Sequence, residues 1–75
     1  MKWTSFKKKR PNKKKNKEVI TFEYLRHIKN GKMIPCACIE NTDSIHYRKG
    51  FIWTDAGGSN LTHWMPLPEP PNEVD

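Results

Sequence analysis

This chain of 75 residues has no long apolar stretch and few cysteines. No run of about 18 apolar residues occurs, so the sequence predicts no membrane-spanning helix. The basic N-terminus is not followed by an apolar segment, so we expect no signal peptide. The two cysteines, Cys36 and Cys38, are separated by one residue, a spacing that suits a disulfide within one strand poorly. These absences predict one small cytoplasmic domain with reduced thiols.

Motifs of catalysis are also missing. The stretch 56–60 is glycine-rich, but it lacks the lysine and the following helix of a phosphate-binding loop. His63, Asp55 and either Ser59 or Ser44 could be combined into a hydrolytic triad, but no nucleophile elbow accompanies them. We therefore predict that the protein is not an enzyme and requires no cofactor.

Acidic residues are absent from the first 17 positions, and this absence divides the chain. Residues 18–75 contain all eight acids and five of the 14 bases, so the net charge of +6 comes from the N-terminal part. The sequence predicts a basic arm over residues 1–17, a β-rich body over residues 18–71 and a frayed acidic end over residues 72–75. The candidate polyanion-binding residues of the arm are Lys7, Lys8, Lys9, Arg10, Lys13, Lys14, Lys15 and Lys17.

The lysine-rich run has two interpretations. Crowded like charges repel one another and stay solvated, so the run could serve only as a solubilising tail. Alternatively, it could contact the phosphates of nucleic acid without reading sequence, and that binding would weaken with salt.

Two runs of β-forming residues flank Asn30-Gly31, at residues 18–29 and 32–40. Asn-Gly favours a two-residue type I′ turn, because both turn positions need positive φ. That turn would pair Lys29 with Lys32 and place Arg26 opposite Pro35. The predicted core face then holds Ile20, Phe22, Tyr24, Ile28, Met33, Ala37 and Ile39. A second hairpin is predicted from residues 45–47 and 51–54, joined by a three-residue loop, Arg48-Lys49-Gly50.

The opposite face of the first hairpin would carry residues of the types that can bind a metal ion. Cys36 and Cys38 would lie side by side there, with Glu23 opposite Cys38 and His27 diagonal to Cys36. Structural zinc usually draws paired cysteines from a C-x₂₋₄-C knuckle, whereas Cys-x-Cys on a straight strand splays. Buried free thiols are therefore favoured over a metal site.

The C-terminal stretch 61–71 reads as a short strand followed by an extended strap. Thr62, Trp64 and Met65 suit a pleated surface, whereas four prolines, at 66, 68, 70 and 71, impose polyproline geometry. The run THWMPLPEPP resembles the signature of the phage and prophage family called domain of unknown function 551. The matching positions that we identify are Trp3, Ser5, Lys7, Pro11, Thr62, His63, Trp64, Met65, Pro66 and Pro68.

This resemblance implies a fold and a phage setting, since the family has no established activity. Arg10 stands where the family usually has leucine, and the lysine run departs from the family's mixed charge. We expect a mainly β fold, an antiparallel meander of three to five strands with room for a short helical turn. Trp3 and Phe6 would pack near Trp64 on one side, and the strap would close the other.

Two functions remain open. In the first, a phage accessory module binds nucleic acid or a nucleoprotein through the arm. In the second, a phage early protein binds and inhibits a host protein through its folded body, in host takeover or defence evasion. The arm would then steer it towards an acidic partner. The sequence does not decide whether the chain dimerises.

Overall fold

A computed structural model describes residues 2–68 of the chain. The mainly β, antiparallel prediction is confirmed. Within the described part, no helix is long and apolar enough to cross a membrane. The elements in chain order are β1 (Thr4–Ser5), β2 (Glu18–Arg26), β3 (Met33–Asn41), a 3-10 turn (Thr42–Ser44), β4 (Ile45–Arg48), β5 (Phe51–Thr54) and β6 (His63–Pro66).

The strand order is not that of a meander. Four strands form one sheet in the order β1-β6-β2-β3, and β4 and β5 form a separate two-stranded sheet. The C-terminal strand β6 lies between the first two strands and is antiparallel to both. Because β1 and β2 are therefore not neighbours, residues 6–17 form a connection across the body rather than a hairpin.

The pairing of β2 with β3 differs from the predicted register by two residues. Tyr24 lies opposite Pro35 and Arg26 lies opposite Met33, whereas the sequence predicted Arg26 opposite Pro35. A shift of two residues keeps each side chain on the same face of a strand, because side chains alternate with period two. The error in register therefore does not change which residues share a face of the hairpin.

The turn explains the shift. His27 N–H donates to Lys32 O over 2.8 Å and closes a four-residue loop over residues 28–31. Of the two expected turn residues, Gly31 alone has positive φ, at 69°. Asn30 instead accepts a hydrogen bond from Lys32 N–H on its Oδ1 at 2.9 Å. The asparagine thus uses its side chain to stabilise a wider loop, and the two-residue turn does not form.

The predicted core face of this hairpin is wrong, because it points outward. The inward face of β2 carries Val19, Thr21 and Glu23, all less than 9% exposed, whereas Tyr24 is 52% exposed and Ile39 60%. The core forms where the β4–β5 hairpin and the start of the crossing segment cover the inward face. Its buried apolar residues are Phe6, Val19, Ile45, Ile52, Leu61 and Trp64.

The crossing segment, residues 6–17, is bound to the body along its backbone. Phe6 N–H donates to Thr62 O at 3.1 Å, and Thr42 N–H donates to Lys17 O at 2.9 Å. The Thr42 hydroxyl donates to Asn16 O at 2.9 Å. Pro11, midway, is buried. The lysine side chains of the segment are exposed, but its main chain follows a defined path over the core.

The two N-terminal aromatic residues lie on opposite faces. Phe6 is 4% exposed and shares the core with Trp64, as predicted. Trp3 is 42% exposed and lies against Phe22 on the outer face, with ring centroids 5.3 Å apart. The predicted packing of Trp3 near Trp64 is therefore wrong, because Thr4 is the residue that pairs with Trp64 and Trp3 alternates to the other side.

The C-terminal strand forms as predicted and ends in proline. Strand β6 runs from His63 to Pro66, within the stretch 61–71 where the sequence predicted a strand and then a strap, and Pro66 pairs with Val19. The predicted strap extends to residue 71, and the predicted acidic end covers residues 72–75. Both predictions lie wholly or partly outside the described residues, which end at Pro68.

Candidate nucleic-acid interface

A cationic cleft lies where the crossing segment meets the turn of the β4–β5 hairpin. Its volume is about 240 Å³. Among the described residues that line it, four carry positive charge and none is acidic. The lining residues are Phe6, Lys7, Arg10, Tyr47, Arg48, Lys49, Gly50, Phe51 and Ile52. Positive groups that converge from two separate chain segments are an arrangement that can bind phosphate.

Arg10 is held at the cleft by an aromatic ring. Its guanidinium carbon lies 4.0 Å from the ring centroid of Tyr47, within the range of a cation–π contact. Burial raises the pKa of the Tyr47 phenol, and the Arg10 charge opposes that effect in part. At this position Arg10 adds a positive charge to the cleft.

The hairpin turn presents the other two charges. Arg48 pairs with Phe51, so the turn contains only Lys49 and Gly50, with φ of 48° and 86°. The predicted three-residue loop is therefore wrong, and the structure has a two-residue turn with positive φ at both positions, as in type I′. From the sequence, Arg48 and Lys49 were predicted only as residues of a hairpin loop. The neighbouring aromatic Phe51 was the signal that could have marked them as functional.

A second cleft, of about 380 Å³, adjoins the first. The two share Phe6, Lys7, Gly50, Phe51 and Ile52 among their lining residues. The remaining lining residues of the second cleft are uncharged or histidine: Ser5, Asn60, Leu61, Thr62 and His63. Phe51 is 62% exposed and contributes to both walls. The four positive charges thus line the first cleft, whereas Lys7 alone among them also lines the second, and Phe51 lines both.

The predicted basic residues do not all converge. Lys7 and Arg10 line the cationic cleft, whereas Lys8, Lys9, Lys13, Lys14, Lys15 and Lys17 line neither of these two clefts. Asn12 organises the turn that carries the middle lysines, since its Oδ1 accepts from Lys14 N–H at 2.9 Å. Lys13 Nζ lies 4.0 Å from Asp43 Oδ1, and both side chains are mainly exposed. These lysines present a solvated positive surface along the crossing segment.

The proposed metal-ligating residues are only partly together, and the predicted burial of the two thiols is wrong, because Cys36 is half-buried and Cys38 is exposed. Cys36 Sγ and Cys38 Sγ lie 3.9 Å apart, and this contact is the main cause of a raised pKa for Cys38. Glu23 lies opposite Cys36 rather than Cys38, because of the shifted register. His27 closes the loop at the end of the hairpin. Within residues 2–68, no group of three or more potential ligands is close enough to hold a metal ion.

Glu23 has a structural role instead. It is 7% exposed, and its Oε1 accepts from Asn60 N–H at 3.2 Å. It also accepts from the backbone N–H and the hydroxyl of Ser59, each at 3.3 Å. The carboxylate thus stabilises the glycine-rich loop before β6.

The residues of the possible hydrolytic triad have other partners in the structure. Asp55 Oδ1 lies 2.8 Å from His46 Nε2, and His63 Nδ1 lies 2.8 Å from the Thr62 hydroxyl.

The outer face of the four-stranded sheet is apolar and largely uncovered. Phe22 forms an aromatic row with Trp3 and Tyr24, with ring centroids 5.3 and 5.1 Å apart. Cross-strand neighbours on the same face include Ile20 with Ile39 and Met65. Met33 and Ile39 are 52% and 60% exposed on the edge strand β3. This outer face is the second candidate binding surface.

The residues of the sequence signature meet at the centre of the fold. Thr62 N–H donates to Phe22 O, and its carbonyl accepts from Phe6 N–H. Trp64 pairs with Thr4 on one side and Thr21 on the other. These contacts join the N-terminal and C-terminal parts of the signature, so the signature describes how the sheet is assembled.

Comparison with known protein families supports the family resemblance of the signature residues. A family model described as "Protein of unknown function (DUF551)" matches residues 2–72. No curated protein and no solved structure shows a significant match. The family model covers nearly the whole chain, from before β1 to beyond β6. The chain therefore belongs to the DUF551 family.

Proposed function

We propose that this protein binds nucleic acid, without catalysis, through the cationic cleft and the exposed lysines of the crossing segment. The observation that carries the proposal is the convergence of Lys7 and Arg10 with Arg48 and Lys49 around one cleft. These charges come from residues far apart in sequence. A solubilising tail would not require them to meet, whereas a phosphate site would.

The physical basis is electrostatic. Lys and Arg that neutralise phosphates release condensed counterions, so affinity falls steeply as salt concentration rises. Arg10 and Arg48 can bind phosphate oxygens in a bidentate manner, and Lys7 and Lys49 act as point charges. Contacts of this kind position a nucleic acid and carry no sequence information. A role as a phage accessory module, which the family resemblance implies, is consistent with such binding.

Fluorescence anisotropy with labelled oligonucleotides over a salt series tests the proposal. If the four cleft charges contact phosphates of a single strand, log K against log salt should have a slope of roughly −3. The variant Arg48→Gln/Lys49→Asn should weaken binding and reduce the magnitude of this slope to about half.

A matched control removes the same charge elsewhere. Lys29→Gln/Lys32→Gln changes two exposed lysines at the far end of the β2–β3 hairpin. It should leave both affinity and slope close to those of the unmodified chain. No measurable binding at low salt, or equal losses in the two double variants, would contradict a phosphate site at the cleft.

A second candidate function is supported by the exposed outer face. An aromatic row and the apolar residues of β3 lie uncovered there, as is usual for surfaces that bind protein. The partner would be a host protein with an apolar site and an acidic rim, towards which the lysine-rich segment would steer the chain.

A pull-down from bacterial lysate, with and without nuclease, tests this alternative. A partner protein retained after nuclease treatment and lost in Tyr24→Ser/Ile39→Ser would favour the outer face. The variant Arg48→Gln/Lys49→Asn should retain that partner. Complete loss of captured material on nuclease treatment would favour nucleic acid instead.

A further inference from the structure

We infer that Phe51 is a base-stacking platform between a phosphate subsite and a base subsite, so that the ligand is an unpaired nucleotide of a single strand. This inference rests on the proposed nucleic-acid function and makes the ligand class more specific. It begins from the two clefts that share Phe51 among their lining residues.

Phe51 presents a large apolar side chain to solvent and is not part of the core. Its neighbours Ile52 and Thr54 are buried, at 8% and 4%, whereas Phe51 is 62% exposed. It lies at the start of β5, where the alternation of the strand turns it away from the core. A phenyl ring in solvent beside four cationic side chains gains little from the protein itself, but it offers a flat surface on which a base can stack.

The two clefts differ in chemistry in the same way as the phosphate and the base of a nucleotide. The cationic cleft contains Lys7, Arg10, Arg48 and Lys49 and suits a phosphodiester. The second cleft has Lys7 as its charged residue, and Ser5, Asn60, Thr62 and His63 are polar residues of its lining. Groups that donate and accept hydrogen bonds, beside an aromatic ring, suit the edge of a base. Its volume of about 380 Å³ also lies within the range of small-ligand sites, roughly 300–1,000 Å³.

The register of the β4–β5 hairpin places a phosphate-binding residue and the stacking residue side by side. Arg48 and Phe51 are directly opposite each other on β4 and β5. Residues paired in this way have Cβ atoms about 4.5–5.5 Å apart. One nucleotide can therefore contact Arg48 through its phosphate and Phe51 through its base.

A duplex cannot use this arrangement. Its bases are paired and stacked inside the helix, so their faces cannot reach Phe51. A duplex would bind the cationic groups alone. The platform therefore predicts a preference for single strands that depends on the bases and not on the phosphates.

Three probes and two variants test the inference. The probes are an oligothymidylate of about 12 nucleotides, within known single-strand site sizes, an abasic strand of the same length, and the corresponding duplex. The unmodified chain should bind the oligothymidylate about tenfold more tightly than the abasic strand. Phe51→Leu should remove most of this preference and leave abasic binding unchanged, whereas Phe51→Trp should retain it.

The outcomes separate this inference from the proposed function. Equal affinity of the unmodified chain for the thymidylate and abasic strands would overturn the stacking platform and leave phosphate binding intact. A thymidylate preference that persists in Phe51→Leu would place stacking elsewhere and would also overturn the assignment. Failure to bind any of the three probes would overturn both the inference and the proposed function.

Discussion

The indole Nε1 of Trp64 donates a hydrogen bond to the backbone carbonyl oxygen of Lys9 over 2.9 Å. Trp64 is 6% exposed and lies on the central strand β6, whereas Lys9 belongs to the lysine-rich segment. The most buried tryptophan of the described chain thus holds the most basic segment against the body. Because Arg10 follows directly, this bond also helps to position a charge of the cationic cleft.

Trp64→Phe should destabilise the protein by about 1 kcal/mol or somewhat more, because the Lys9 carbonyl loses its partner while the aromatic ring is largely retained. Urea unfolding measures the change. Trp53→Phe is the control, since Trp53 is only partly buried and its ring lies against His46. Equal destabilisation by both variants would show that loss of ring size, and not the bond to Lys9, is responsible.

Lys49→Asn should maintain or raise the melting temperature, whereas Lys49→Val should lower it. Lys49 has φ of 48°, a conformation that asparagine tolerates and that a β-branched residue adopts at a cost of roughly 1–3 kcal/mol. Both variants remove the same charge, so thermal melts isolate the backbone effect. Similar melting temperatures for the two variants would mean that the turn rearranges when Lys49 is replaced.

Glu23→Ala should cost about 2–3 kcal/mol of folding stability, because three donors of the loop at Ser59 and Asn60 lose a charged acceptor. Glu23→Gln should cost less, since its carbonyl oxygen can accept the same hydrogen bonds. Urea unfolding gives the stability, and amide hydrogen exchange at Ser59 and Asn60 reports on the loop. Unchanged exchange in Glu23→Ala would show that the carboxylate does not order it.

Tyr47 should make the protein less stable at alkaline pH. Burial raises its pKa above the ordinary value of 10.0, so the folded state favours the neutral phenol. The stability that this preference contributes is fully present below the unfolded-state pKa and is lost as pH rises through the folded-state pKa. Thermal melts between neutral pH and about 11 should therefore decline more steeply for the unmodified chain than for Tyr47→Phe.

Tyr24→Phe is the control for this experiment, because Tyr24 is 52% exposed on the outer face. It removes one phenol, as Tyr47→Phe does, and changes no other residue. Its melts should follow those of the unmodified chain. An identical alkaline decline in Tyr47→Phe would exclude Tyr47 as the source.

Local features of the fold could be predicted because they depend on neighbouring residues. The β-forming runs predicted over residues 18–29 and 32–40 form strands at Glu18–Arg26 and Met33–Asn41, and the short strand at Trp64 also forms. The register of β2 and β3 could not be predicted correctly. Asn30 had two ways to stabilise a turn, through positive φ or through its side chain, and the sequence does not decide between them.

The choice of buried face also required the tertiary structure. On β2, the outward residues Ile20, Phe22 and Tyr24 are more apolar than the inward Thr21 and Glu23, so the alternating pattern indicated the wrong side. Contacts with Phe6 and the β4–β5 hairpin decide which face is covered. Glu23 is tolerated there because the loop at Ser59 and Asn60 supplies its donors.

The sequence by itself determined the mainly β character, the separation of charge between the two parts of the chain, and the family. Each follows from composition or from short motifs, such as the basic run over residues 7–17. Only the tertiary structure decided that Lys7 and Arg10 meet Arg48 and Lys49 beside Phe51. The physical reason is that β6 inserts between β1 and β2 and directs the intervening segment across the core, a contact between the two ends of the chain that local sequence does not specify.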